Sequence, residues 1–353
     1  MIILALETSC DETSAAVLSA DWGDLKLLSN IVSSQIDIHK QYGGVVPEVA
    51  ARHHIQNVIP VVAEAMQKAK IKPSDIDLMA VTTGPGLVTS LIIGVEMAKA
   101  LSYGWKKPLL AVNHMYSHMA ANFLNLPPAP SFVRRGNELF PAICLIVSGG
   151  HTELIHLKNY QQYKKLGQTI DDAVGEAFDK VAKLLGLGYP GGPAISACAE
   201  ELRITNYELR INLPRPMMKS GDFNFSFSGL KTAVLYATQK MSKEELKKRT
   251  PEICFEFQEA AIDVLAAKTI RAANKYNVRS IMLAGGVAAN KKLRERLNRE
   301  ADNAGFKFFV PEFKLCTDNA AMVAVAAYYL AQKKKVPIDN YQKVKTDCNW
   351  ELH

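Results

Sequence analysis

A plan written twice limits most strongly what this chain can fold into: a hairpin first, then a strand that breaks at glycines and gives way to a helix. In the first half, Ile2 to Glu7 reads as a strand, Cys10-Asp11-Glu12 as a polar turn and Thr13 to Leu18 as the returning strand. Pro47 opens an amphipathic helix towards Lys70, with proline at a first-turn position where its missing N–H does no harm. Ile76 to Thr83 is a buried-type strand ending at Gly84-Pro85-Gly86, and Leu87 to Ser102 is helical. In the second half, Ala142 to Val147 is an apolar strand, Ser148-Gly149-Gly150 a turn and His151 to Leu157 an alternating strand. Ser280 to Leu283 then runs into Ala284-Gly285-Gly286 ahead of a helix from about Ala289 to Ala304. Between the halves, "NLPPAPSFVRRGN" at 125–137 is rich in proline and without periodicity, as a linker would be.

Two copies of one α/β plan suggest two related RNase H-like lobes facing each other across a cleft, the general plan of the actin, Hsp70 and sugar-kinase superfamily. At 353 residues the chain exceeds the usual size of a single hydrophobic core, which fits two lobes. The expected division is an N-terminal lobe of 1–127 plus 317–335, a C-terminal lobe of 138–316 and a C-terminal tail of 336–353. In such a fold ligands sit at the turns after strands, where glycines let backbone N–H groups approach anionic oxygens. The turns around Asp11, Gly149 and Gly285 are therefore placed to meet in one site. Each glycine pair taken alone is better explained by the conformational needs of a tight turn.

Composition excludes several classes. Forty-eight per cent hydrophobic and 22 per cent charged residues describe an ordinary globular protein. The sequence runs from Met1 straight into a strand without a basic leader, and the segment from Leu87 to Trp105 carries Glu96 and Lys99, so neither export nor a membrane span is expected. The apolar run from Ala320 to Ala331 is too short to span hydrocarbon. Cysteines 10, 144, 198, 254, 316 and 348 form no CxxC pair, which argues against a zinc ribbon or a disulfide framework and fits a reducing, cytoplasmic setting. A net charge of +7 permits a polyanionic partner without requiring one.

The sharpest chemical signal is "HMYSH" at 114–118. On a helix, residues i and i+4 share a face with Cβ atoms about 5 to 6 Å apart, so His114 and His118 can grip one ion. Two partly buried histidines bonded to backbone explain an isolated pair as well. Zincin peptidases carry HExxH, whose glutamate is the general base, but the matching position here is Met115. A third ligand must come from distant sequence. Asp318 suits, since Thr317-Asp318-Asn319 precedes the apolar helix from Ala320 to Leu330, yet a carboxylate at a helix start is also a common cap.

Nine stretches now converge: "LETSCDET" at 6–13, "YGGVVPEVAARHH" at 42–54, "GPGLVTSLIIG" at 84–94, "NHMYSH" at 113–118, "VSGGHTEL" at 147–154, "DDAVGEAFDKVAKLLGLGYPGGP" at 171–193, "FSFSGLKT" at 225–232, "AGGVAAN" at 284–290 and "CTDNAAM" at 316–322. In order and spacing, from about residue 2 to residue 330, this resembles the tRNA N6-adenosine threonylcarbamoyltransferase family, once described as O-sialoglycoprotein endopeptidases, with His151 typical of its bacterial branch. The resemblance implies transfer of the threonylcarbamoyl group of L-threonylcarbamoyladenylate to the exocyclic nitrogen of the adenosine 3′ to the anticodon, position 37, of tRNAs reading ANN codons. It implies one divalent ion per subunit, Fe2+ ahead of zinc, on His114, His118 and Asp318, although the ligand types accept both metals. It places substrate binding on Ile146, Val147, Ser148, Gly149, Gly150, Asp179, Gly192 and Asn290. Where many members have an acidic residue after YPGGP, this chain has Ser196. The implied protein partners are a smaller inactive paralogue and a P-loop ATPase.

The chemistry sets its own demands. Charge gathers on phosphate and carbonyl oxygens as AMP leaves, so an ion with open positions and a nest of N–H groups at Ser148-Gly149-Gly150 would stabilise the transition state. The adenine amino group is a poor nucleophile that must be oriented and relieved of a proton, for which Asp11 and Glu12 are the candidates, with plain turn chemistry as their alternative. Asp179 could accept from ribose hydroxyls or be a solvated helix residue. Ser228 and Lys231 could lie near donor or tRNA, or Ser228 could simply cap a helix. Lys333-Lys334-Lys335 reads as a solvated helix end. The other readings are a metallopeptidase acting on glycoproteins and a nucleotide-regulated scaffold.

Overall fold

The computed structural model describes residues 1–21, 24–124, 139–202, 211–332 and 336–352. The first sheet is built around β1 (Ile2–Glu7), a run of buried residues because helices cover both of its faces. β2 (Glu12–Asp21) returns antiparallel to β1, and β3 (Asp24–Ser34) pairs antiparallel with β2. On the other side β4 (Leu78–Gly84) lies parallel to β1 and β5 (Leu109–Asn113) parallel to β4, giving the order β3-β2-β1-β4-β5. Helix α1 (Pro47–Ala69) packs on β2 and β3 and α2 (Val88–Trp105) on β4, while a short α3 (His114–Ala120) follows β5 without a loop. Pro47 occupies the first turn of α1 as its sequence position predicts.

The second sheet repeats the order. β6 (Ala142–Val147) and β7 (Thr152–Leu157) form the hairpin and β8 (Tyr163–Gln168) flanks it. β9 (Ser280–Ala284) lies parallel to β6 and β10 (Lys307–Phe309) parallel to β9. Helices α4 (Val174–Leu184), α5 (Gly191–Leu202), α6 (Ser228–Gln239) and α7 (Lys243–Lys275) separate hairpin from β9, and α8 (Lys291–Asn303) separates β9 from β10.

The chain divides into two compact units: Met1–Phe140 with Lys158–Tyr163 and Pro311–His353, and Pro141–Leu157 with Lys164–Val310. Helix α9 (Ala320–Ala331), buried on nearly every residue, belongs to the first unit and packs across β1, β2 and α3. The sequence reading has six strands, and the structure adds β3, β5, β8 and β10, the edges of the two sheets. β3 shows the reason: "DLKLLSNIVSS" is half exposed along most of its length, so neither an apolar run nor a clean alternation marks it. The hairpin strand β2 also continues to Asp21, past the Leu18 limit read from sequence. The proline-rich stretch 125–137 and the lysines 333–335 lie outside the described residues.

Candidate active site

In the first unit, Asn113 ends β5 and caps α3: its side-chain Oδ1 accepts the backbone N–H of Tyr116 at 3.1 Å. That cap starts the helix at His114 and brings the two imidazoles together, ring centroids 4.6 Å apart and nearly perpendicular. Asp318 stands just before α9, but it is not the cap there; Asn319 is, taking the N–H of Met322 at 3.1 Å. Asp318 Oδ1 instead lies 3.1 Å from His118 Nε2 and 3.5 Å from His114 Nε2. Donors about 2.1 Å from a shared ion and 90–110° apart would be separated by roughly 3.0–3.4 Å, close to the two distances from Asp318. His118 adds a second indication: its side chain is 1% exposed, Nε2 faces the Asp318 carboxylate, and Nδ1 has no hydrogen-bond partner among the described residues. His114, His118 and Asp318 thus form a group that can hold a metal ion.

Behind His114 sits a carboxylate that sequence reasoning did not single out. Glu7, fully buried at the end of β1, takes the Thr82 hydroxyl and the Ser9 N–H at 2.6 Å each, and its Oε2 is 3.2 Å from His114 Nδ1. With the Nδ1–H donating to Glu7, Nε2 is the nitrogen that faces His118 and Asp318. Burial alone would lower the His114 pKa, but Asp318 and Glu7 outweigh it and push it up to about 9. Glu7 is the complement: burial would raise it, and the adjoining imidazole holds it below the usual range. The available signal was an acidic residue closing an otherwise apolar strand.

Asp11 and Glu12 occupy the β1–β2 turn of the same unit, both buried. Glu12 accepts from the Ser34 hydroxyl at 3.2 Å. Burial, then the neighbouring Asp11 and Asp318 charges, raise its pKa well above the carboxylate range, favouring the protonated form. The Cys10 thiol is pushed up for the same reasons. This corner therefore concentrates negative charge that a cation would relieve.

The matching turn of the second unit has no such charge. Ile146 and Val147 are buried in β6, whereas Gly149 and Gly150 are exposed, with open space where a side chain would stand. Ser148 closes the turn, its N–H on the His151 carbonyl at 2.8 Å and its hydroxyl taking the His151 N–H at 3.0 Å. Gly285, at φ +87, brings its Cα against the end of β6: a Cβ there would lie 2.4 Å from the Val147 oxygen. Asn290 caps α8 through Leu293 N at 3.0 Å and donates to Ser196 Oγ at 3.1 Å and Gln258 Oε1 at 2.9 Å. Asp179 takes the N–H of Gly191, the first residue of α5, at 2.7 Å, and so is more than a solvated helix residue. Gly192 beside it has open space at its Cβ position. Capping of α6 falls to Asp171, which receives Phe227 N, Ser228 N and the Ser226 hydroxyl, and not to Ser228; Lys231 faces Asp172 at 3.7 Å.

Two five-stranded sheets of one order give this chain the duplicated α/β fold of the actin, Hsp70 and sugar-kinase type. Solved structures of that fold match along nearly the whole chain: HypF from T. kodakarensis (14% identity, TM-score 0.61, 96% of this chain and 48% of that one) and the activator of 2-hydroxyisocaproyl-CoA dehydratase from Clostridium difficile (13%, 0.50, 98% and 99%). The family model for tRNA N6-adenosine threonylcarbamoyltransferase matches residues 26–325. Curated proteins of that name are 50% identical over 333 residues in Thermosipho africanus, covering 94% of this chain and 95% of the relative, and 46% identical over 334 residues in Bacillus subtilis, covering 94% and 91%. This chain belongs to the tRNA N6-adenosine threonylcarbamoyltransferase family. Met115, where a zincin peptidase carries its glutamate, is a buried apolar residue.

Proposed function

We propose that this chain transfers the threonylcarbamoyl group of L-threonylcarbamoyladenylate to N6 of adenosine 37 in tRNAs reading ANN codons, releasing AMP. The observation that carries the reading is the convergence of His114, His118 and Asp318 in a chain of this family. Those three residues hold one divalent ion, Fe2+ in preference to zinc. When bound, the ion supplies Lewis acidity and open positions for the donor's oxygens.

The chain's own residues do the rest. Glu7 orients His114. Asp11 and Glu12, two buried carboxyl groups at the β1–β2 turn, are suited to orienting the adenine amino group and accepting its proton. In the second unit the exposed N–H groups of Gly149 and Gly150 suit anionic oxygens, with Ser148 fixing the turn and Ile146 and Val147 its base. Asp179 accepts a ribose hydroxyl alongside the Gly191 N–H, which a carboxylate's several lone pairs allow, and Gly192 and Asn290 flank the nucleoside.

tRNA is the macromolecular substrate, and its phosphates suit a chain of net charge +7. A smaller inactive paralogue and a P-loop ATPase are the protein partners. The packed pair α1 and α2 exposes Ile55 and Ile59 on one helix and Val88 and Ile92 on the other, an apolar surface suited to the paralogue. No described helix is long and apolar enough to cross a membrane, and the cytoplasm, where tRNA is found, is the proposed location. Incubating the chain and its partners with tRNA and the adenylate should yield threonylcarbamoyladenosine by nucleoside mass spectrometry; tRNA left unmodified would overturn the proposal.

A further inference from the structure

Residues 336–352 lie beyond the stretch 26–325 that the family model matches, yet they are bound at several points to the framework of the first unit. Asn340 Nδ2 donates to the Leu109 carbonyl of β5 at 2.8 Å, and the ring of Tyr341 rests 5.8 Å from that of Tyr103 on α2. Val344, 3% exposed, enters the core formed by β1, β4, α1 and α2. From that anchor the chain reaches the end of β4, where Asp347 N–H donates to the Thr83 carbonyl at 2.8 Å. The next turn accepts the Gly86 N–H on the Cys348 carbonyl at 3.4 Å. So close is the approach at Gly84 that a Cβ would stand 1.7 Å from the Asp347 oxygen, which reserves the position for glycine.

The last contact is the informative one. Asn113 Nδ2 donates to the Trp350 carbonyl at 3.0 Å, while Oδ1 of the same amide caps α3 through Tyr116 N. The amide is buried, and each end has one partner of the right polarity; turning it over would set carbonyl against carbonyl and NH2 against N–H. A single side chain therefore ties the segment to the first turn of the helix whose next residue is His114.

We infer that residues 345–352 are a strap that positions the metal-bearing helix, with Asn113 as the positioning residue through which it acts. The inference rests on the metal reading of His114, His118 and Asp318. Removal of the strap frees the Asn113 amide to rotate, loosens the cap and displaces His114 from the line shared with His118 and Asp318. Loss of a supporting contact behind a ligand typically lowers affinity about 10-fold or more.

The test is a Zn2+ titration against a competing chromophoric chelator at 25 °C, on the full chain, on a chain lacking 347–353, on Asn113→Ser and on Val62→Ala. Serine can still cap α3 but lacks the amide donor for Trp350, and Val62 lies in the core of the same unit. Expected are a loss of about 10-fold in Zn2+ affinity for the shortened chain and Asn113→Ser, and for Val62→Ala a lower Tm at unchanged affinity. Unchanged affinity in Asn113→Ser overturns the strap, and does so even where the shortened chain does not fold. No Zn2+ binding by the full chain overturns the metal reading, and the strap with it.

Discussion

The two units use the same sheet order for opposite electrostatics. At the β1–β2 turn the first unit gathers Asp11 and Glu12, with Glu7 one strand end away and Asp318 close enough to raise Glu12. At the corresponding β6–β7 turn the second unit has Ser148, whose N–H is bonded to the His151 carbonyl, and the exposed Gly149 and Gly150, with no ionisable side chain among the three. A corner rich in carboxylates selects cations, and one reduced to N–H groups selects anions. One sheet order thus carries opposite electrostatics at a single class of turn.

The comparison can be broken hardest on the charged side. Asp318→Ala removes the anionic ligand and should reduce metal occupancy and tRNA modification by at least about 100-fold, as strongly as either histidine change; full occupancy by elemental analysis would remove Asp318 as a ligand. Glu7→Gln keeps the shape but not the charge behind His114, and a loss of about 10-fold in metal affinity is expected. Chelator competition checks it, and an unaltered affinity would reduce Glu7 to a structural partner of Thr82 and Ser9.

On the uncharged side the effects are conformational. Gly285→Ala forces a Cβ against Val147 at positive φ and should cost about 1–3 kcal/mol in urea unfolding. Gly149→Ala, with open space, should cost less than about 0.5 kcal/mol and act on donor KM instead. Equal destabilisation by the two would remove the distinction between frame and ligand glycines. Asp171→Ala should cost about 1 kcal/mol for a lost cap. Burial raises the Asp171 carboxyl, but bonds from Ser226, Phe227 and Ser228 outweigh it and hold it below its ordinary 3.8. A depressed folded value means the contribution is present above that ordinary pH and lost as pH falls through the folded value, so wild type and variant should converge in acid.

Central strands were legible in the sequence because burial on both faces writes a run such as Ile2–Glu7 or Ala142–Val147. The edge strands were not, since "YKKLGQ" and "KFF" are partly solvated and carry no period. The histidine pair was legible from helical spacing alone. Asp318 was legible only as a choice between ligand and cap, because sequence gives adjacency and not direction. Glu7 was missed because periodicity treats a strand's last residue as a boundary, although a lone carboxylate there required a partner.

Asn319 settles one further matter. Its side chain, and not that of Asp318, accepts the Met322 N–H at the start of α9. Asp318→His or Asp318→Cys would exchange a hard donor for a softer one without removing the Asn319 cap. Helix cap and candidate ligand thus fall to adjacent residues, and a change of donor at 318 can be tested with the cap of α9 still in place.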